Sequence, residues 1–136
     1  MPPMRGDYAA YLSQDTTNMA AAQVRASHLL IKHNESRRLA SWQDPEGVRI
    51  KATTKDEAIA RLEELRAKIE EGEASFADLA KVNSDCSSAS RGGDLGPFSR
   101  GQMQKAFEDA AFALNVGEMS GIVDSDSGVH IILRTA

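Results

Sequence analysis

Three groups of side chains in this 136-residue chain could do chemistry. The first is a thiol with two imidazoles. Cys86 is the only cysteine and sits in a polar run, Ser84-Asp85-Cys86-Ser87-Ser88, while His28 and His130 lie far from it in sequence. A thiol beside an imidazole is a nucleophile in some enzymes, yet free cysteines usually behave as small buried hydrophobes. The second group is basic. Lys32, Arg37 and Arg38 cluster locally in an acidic protein, and two guanidiniums on one loop can converge on a phosphate, although two solvated loop arginines would read the same way. The third is apolar: Leu95, Met103 and Phe107 fit a cleft lip as well as a core. Two histidines and one cysteine without a close ligand pair are a poor zinc set, so no metal and no cofactor is expected.

The stretch Ser84–Phe107 holds the thiol and a cluster of backbone breakers, Gly92, Gly93, Gly96, Pro97 and Gly101, and reads as one wall of a cleft. The other elements must supply what faces it. Residues 24–32 form an aliphatic strand whose alternation puts Ala26, His28, Leu30 and Lys32 on one face. His33, at the strand end, is expected to be exposed. Residues 33–53 read as a long polar loop carrying Arg37, Arg38 and Trp42, and loops of that length are usually functional or disordered. Thr54-Lys-Asp-Glu57 is a capping box, and the helix it opens carries Ala58, Leu62, Leu65 and Ile69 on one stripe as far as Gly72. Ser75 caps a second helix with Phe76, Leu79 and Ala80 inward. A further helical turn is expected at 86–89, an extended piece at 94–98 and a helix over 103–114. The chain closes on a hairpin, 121–124 and 129–134, around Ser125-Asp-Ser-Gly128, with Val129, Ile131 and Leu133 facing one way and His130 and Ile132 the other. If the strands of His28 and His130 are neighbours, the two rings meet on one sheet face. The order of elements is that of an α+β domain with a small, mostly antiparallel sheet.

Composition narrows the functional classes. With 41% hydrophobic and 26% charged residues the chain has the make-up of an ordinary globular protein, long enough for one domain. A net charge of −4 gives no reason to expect nucleic-acid binding. No apolar run approaches membrane-spanning length, and one cysteine points to a reducing compartment. Residues 1–22 are small or polar, with few apolar side chains to bury, and read as a flexible tail; the domain proper is expected over 23–136.

Five separated motifs then say more than composition. ASHLLIKH at 26–33, SRR at 36–38, SDCSSA at 84–89, RGGDLGPFSRGQM at 91–103 and DSGVHIILRT at 126–135 resemble the parvulin family of peptidyl-prolyl isomerases, in its eukaryotic branch specific for phosphorylated Ser/Thr-Pro bonds. The resemblance runs from about Val24 to Ala136. It implies the FKBP-like superfold, a four-stranded sheet surrounded by about four helices. It implies a phosphate site of Lys32, Arg37 and Arg38, a proline pocket of Leu95, Met103 and Phe107, and a polar floor of His28, Cys86, Ser127 and His130 with Gln104 beside them. It implies phosphorylated proteins as substrates; a monomer is expected because no apolar stripe is left over for a partner, and cytoplasm and nucleus are the expected compartments. Many such family members carry a WW domain; here the only tryptophan, Trp42, lies in the domain loop, so the chain resembles the WW-less, plant-type arrangement. Two other classes remain to be weighed: a phosphopeptide-binding module without useful catalysis, and a thiol hydrolase, for which the sequence shows no oxyanion hole.

Overall fold

The computed structural model describes residues 22–136, so the tail expected over 1–22 lies, Ala22 apart, outside the described residues. Strand β1 (Gln23–Ile31) runs through the middle of a four-stranded sheet. It pairs with β2 (Asp94–Ser99) on one side and β4 (Gly128–Arg134) on the other, and β3 (Val123–Ser125) closes the far edge. Every pairing is antiparallel, and the order is β2-β1-β4-β3. The expected α+β architecture is therefore present.

Strand alternation sorts the core into two halves. Leu29, Ile31, Val129 and Ile131 face one side, where α2 (Lys55–Glu70) and α3 (Phe76–Asn83) cover them with Ala58, Leu62, Leu65, Phe76 and Ala80. Val24, Ala26 and Ile132 face the other side, against Phe98 and, from α4 (Lys105–Ala113), Phe107, Ala111 and Phe112. His28 and His130 lie on this second face, which is where the site forms. Both helix starts follow the local signals. In the capping box, Thr54 Oγ1 accepts the Glu57 N–H and Glu57 Oε1 accepts the Thr54 N–H, at 3.1 and 2.8 Å. Ser75 Oγ accepts the Asp78 N–H at 3.1 Å.

Four expectations change. The 33–53 loop contains a helix, α1 (Val48–Ala52), whose five residues are too few to show a helical period. The Asp44 carboxylate accepts the Val48 and Ile50 N–H groups, both at 2.9 Å, and Ile50 is wholly buried, which pins the loop to the domain. The turn after Cys86 is a 3-10 helix, Ser87–Arg91. The helix expected from 103 begins at Lys105, because the Gln104 amide is drawn to a different element, the β3–β4 turn. That turn is shorter than expected: Ser125 pairs with Gly128, leaving Asp126 and Ser127 as a two-residue link.

Backbone approach is tight at one glycine beside the site. Gly93 has φ +89°, and a Cβ there would lie 2.3 Å from the His28 carbonyl oxygen. The Gly93 carbonyl accepts the His28 N–H at 2.9 Å. Only glycine fits, and the contact seats the 84–93 wall directly on β1.

Candidate active site

His28 and His130 lie diagonally across the β1–β4 ladder, with Leu30 opposite His130 and Ile132 opposite His28. Their Nδ1 atoms are 3.0 Å apart and the rings stack with centroids at 5.1 Å. The Phe107 ring meets both edge-on, at 5.4 and 5.2 Å. A hydrogen bond between two Nδ1 atoms needs one proton, so one ring donates and the other accepts. The far nitrogen of His130, Nε2, lies 2.6 Å from Ser125 Oγ. The far nitrogen of His28 has no hydrogen-bond partner of ordinary geometry, and its ring lines the same cavity as the Cys86 thiol.

The chain can run from Ser125 O–H to His130 Nε2, from His130 Nδ1–H to His28 Nδ1, and from His28 Nε2–H toward the sulfur. That polarity suits a thiolate, because it leaves a hydrogen facing the negative charge. Burial pushes the Cys86 thiol up, but the His28 ring and Ser88 outweigh it and the pKa settles at about 6. One of those Ser88 contacts is its N–H, 3.5 Å from the sulfur. Burial, reinforced by the neighbouring His28 charge, pushes His130 down to about 3, so it stays neutral through the physiological range. Replacing His28 by leucine should therefore return the alkylation midpoint of Cys86 with iodoacetamide from about pH 6 toward the ordinary thiol value of about 8.5. His130→Leu should lower thermal stability more than it lowers turnover per folded molecule, whereas His28→Leu should also lower turnover at neutral pH as the thiolate is lost; a midpoint still near 6 would show that the His28 ring does not hold the thiol down.

This pair forms part of the floor of a cavity of about 310 Å3, with Cys86 on one wall and Leu95, Met103 and Phe107 around an apolar side. All three apolar residues named from sequence are brought together, although Met103 reaches the cavity from the loop before α4. Gln104 and Ser127 also line it. Gln104 Nε2 donates to Ser127 Oγ at 2.8 Å and Gln104 Oε1 accepts the Asp126 N–H at 2.9 Å. One Gln104 N–H and the carbonyl thus hold the hairpin turn in place. A larger cleft of about 530 Å3, between α1, α2 and α3, contains neither thiol nor imidazole.

The loop of the basic cluster is tied to the β3–β4 turn beside the cavity. The Arg37 N–H donates to the Asp126 carbonyl at 2.7 Å, tying its loop to the turn that Gln104 holds. Lys32 Nζ donates to the Ala40 carbonyl at 2.6 Å, and Lys32 senses both Arg38 and the Cys86 charge. Burial lowers the Lys32 pKa against the opposing pull of Asp85. The Arg37 and Arg38 side chains are exposed and make no hydrogen bond or ion pair among the described residues. Unpaired guanidiniums and an ammonium are the residue types that a phosphate or carboxylate ligand requires.

Four residues near the site were not singled out in the sequence, or were misplaced there. Ser125 anchors His130, and Gln102 lines the cavity while its Oε1 accepts the Ser99 N–H at 2.7 Å. Once the two-residue turn is known, the register that pairs 125 with 128 brings Ser125 beside His130. His33 is not exposed: it is 2% accessible, and its Nδ1 accepts the Glu35 N–H at 3.1 Å. Asp85, adjacent to the thiol, has a fully buried carboxylate that accepts from the Lys32 N–H, Ser41 and Gln43 at 2.8, 3.0 and 3.0 Å and is paired with Arg49. These partners lie 36 to 53 residues away, so no local pattern announces them.

A sheet-backed cavity of this size, apolar on one side and polar on the other, suits an enzyme that grips a short peptide. Residues 28–136 match the rotamase family described as the PPIC-type PPIASE domain. The chain is 63% identical over 117 residues to the peptidyl-prolyl cis-trans isomerase Pin1 of Digitalis lanata, covering 86% of this chain and 99% of that protein. It is 66% identical over 119 residues to Pin1 of Malus domestica, covering 88% and 98%. The solved structure of the peptidyl-prolyl isomerase ESS1 from Candida albicans superposes with a TM-score of 0.84 at 46% identity, covering all of this chain and 80% of that one. The protein belongs to the parvulin family and is a peptidyl-prolyl cis-trans isomerase.

Proposed function

We propose that the bonds it isomerises are those of phosphorylated Ser/Thr-Pro, with the phosphate held by Lys32, Arg37 and Arg38 and the proline ring by Leu95, Met103 and Phe107. The observation that carries this reading is the unpaired Arg37–Arg38 pair, fastened through Asp126 to the rim of the apolar cavity. A phosphoserine brings about −1.5 to −2 charges and three acceptor oxygens, which two guanidiniums and an ammonium match. The relatives named Pin1 and ESS1 support the same assignment.

The chemistry makes and breaks no covalent bond. Amide resonance sets a rotation barrier of ~18–20 kcal/mol, and catalysis favours the twisted amide over either planar form. Phosphate and proline ring lie on opposite sides of the rotating bond, so anchoring both leaves rotation as the remaining freedom. The Cys86 thiolate acts as a fixed negative charge beside the amide, disfavouring the polarised planar carbonyl. Two replacements separate this from covalent attack: Cys86→Asp keeps a charge, whereas Cys86→Ser keeps a weak nucleophile, and the electrostatic role requires Asp to be the better substitute.

A coupled isomerisation assay on matched pSer-Pro and Ser-Pro peptides tests the substrate class. Equal kcat/KM for the two would remove the phosphate assignment. Binding of the phosphopeptide without acceleration would make the protein a recognition module, and acylation of Cys86 by an activated ester is what a thiol hydrolase would require.

A further inference from the structure

Of the three side chains on the apolar side of the cavity, Leu95 stands on β2 and Phe107 on α4, where regular backbone ladders hold them. Met103 stands on neither. It belongs to residues 100–104, the link from β2 to α4, which also brings Gln102 and Gln104 to the cavity. What fixes that link is a buried acid. Glu108, in the first turn of α4, is 5% accessible, and burying a carboxylate is costly unless it is paired and hydrogen-bonded. Its Oε1 accepts the Gly101 N–H at 2.5 Å and its Oε2 accepts from Arg100 Nη1 at 3.0 Å. The Arg100 guanidinium is seated in turn over the Phe112 ring, 4.3 Å from its centroid. Glu108 also donates its own N–H to the Gln104 carbonyl at 2.9 Å, the first hydrogen bond of α4.

One residue thus bonds both ends of the segment 101–104 and closes it into a loop that holds Gln102 and Met103. A buried carboxylate that clamps a loop is often only a structural tie. This one encloses two residues that line the catalytic cavity, and one of them, Met103, belongs to its apolar wall. Lys32, Arg37 and Arg38 stand elsewhere, on a stretch fastened to Asp126 and Asp85, and bond to none of residues 100–108 among the described residues. We propose that Glu108 is a positioning residue for the isomerisation: it holds Met103 against the proline ring, so the grip on proline depends on it and the grip on phosphate does not. The proposal rests on the assignment of Leu95, Met103 and Phe107 as the proline pocket.

The test separates the two grips with a matched pair of phosphopeptides, pSer-Pro and pSer-Ala, whose Kd values are measured by titration calorimetry. The ratio of the two reports what the proline ring adds. Glu108→Ala should lower that ratio by about fivefold, the scale of losing part of one apolar side chain's burial, with pSer-Ala affinity within about twofold of wild type. The kcat/KM for cis–trans exchange of the pSer-Pro peptide, read by NMR, should fall in step. Glu108→Gln keeps an acceptor for the Gly101 N–H but offers Arg100 no charge, and should fall between. Its near-identical shape lets it decide the matter where alanine prevents folding. Met103→Ala should lower the ratio by itself, and Glu108→Gln added to it should lower the ratio no further. A ratio untouched in the folded Glu108 variants however far Tm falls, equal losses for both peptides, or losses that add to those of Met103→Ala would each overturn the positioning role. Failure of the pocket assignment shows separately, as a ratio that Met103→Ala leaves unchanged.

Discussion

Arg37→Ala combined with Arg38→Ala is expected to cut the preference for phosphorylated over plain Ser-Pro peptides by about 10²-fold or more while the fold persists. The size follows from the bonds at stake. Charge-assisted hydrogen bonds are worth roughly 1.5–3 kcal/mol each, so losing two at the lower figure removes about 3 kcal/mol, on the order of 10²-fold. The fold should persist because neither side chain bonds to any described residue, and the loop is held instead by the Arg37 backbone N–H to Asp126 and by Asp44 and Ile50. A Tm within about 2 °C of wild type with the preference gone is the expected pair of results, as surface substitutions usually change stability little. An unchanged preference would mean the two guanidiniums are solvated bystanders.

Asp85→Ala should have the largest effect on stability. Its carboxylate is wholly buried and receives the Lys32 N–H, the Ser41 hydroxyl, the Gln43 amide and the Arg49 guanidinium. Alanine leaves the Lys32 N–H and the two side-chain donors without their acceptor. Removing one partner of a buried charged network costs about 3–5 kcal/mol, and the lower end applies because Arg49 is 44% exposed and solvent screens it. A loss of about 3 kcal/mol corresponds to a Tm fall of roughly 12 °C for a domain of this size. Because Asp85 also fixes the backbone of Lys32, KM for phosphopeptides should rise even where the protein is folded. Arg49→Ala, which leaves the buried carboxylate with its three neutral donors, should cost less than Asp85→Ala. A calorimetric Tm shift below about 3 °C for Asp85→Ala would show that the loop is held by other means.

What could be read in the sequence was local, and what could not was mostly long-range. The Thr54–Glu57 capping box, the Ser75 cap and the alternation of Val129, His130 and Ile131 each depend on neighbours within four residues, and each appears in the structure as expected. The meeting of His28 with His130 required only that β1 and β4 be adjacent. Leu95, Met103 and Phe107 were assembled as expected, although their pattern had fitted a core equally well. The start of α4 was misjudged because Met103 obeys a helical period by coincidence, while Gln104 is captured by a turn 22 residues away. His33 was misplaced because its burial comes from packing at the end of β1, which no strand pattern records. The Asp85 hub was invisible for the same reason, as its partners come from a loop whose short helix has no period to detect. The sequence pairs Cys86 with two imidazoles but not with a protonation state, which the His28 ring beside the thiol sets.

The most direct test is exchange spectroscopy on one peptide in two forms, pSer-Pro and Ser-Pro, with substoichiometric wild-type protein at neutral pH. Uncatalysed exchange takes on the order of 10–100 s, too slow to give cross-peaks between cis and trans prolyl signals on a sub-second mixing time. The expected result is strong cis–trans cross-peaks for the phosphopeptide and none, or far weaker ones, for the plain peptide under identical conditions. Equal cross-peaks from both forms would contradict a phosphate-anchored rotation, and binding shifts without cross-peaks from either would contradict isomerisation itself.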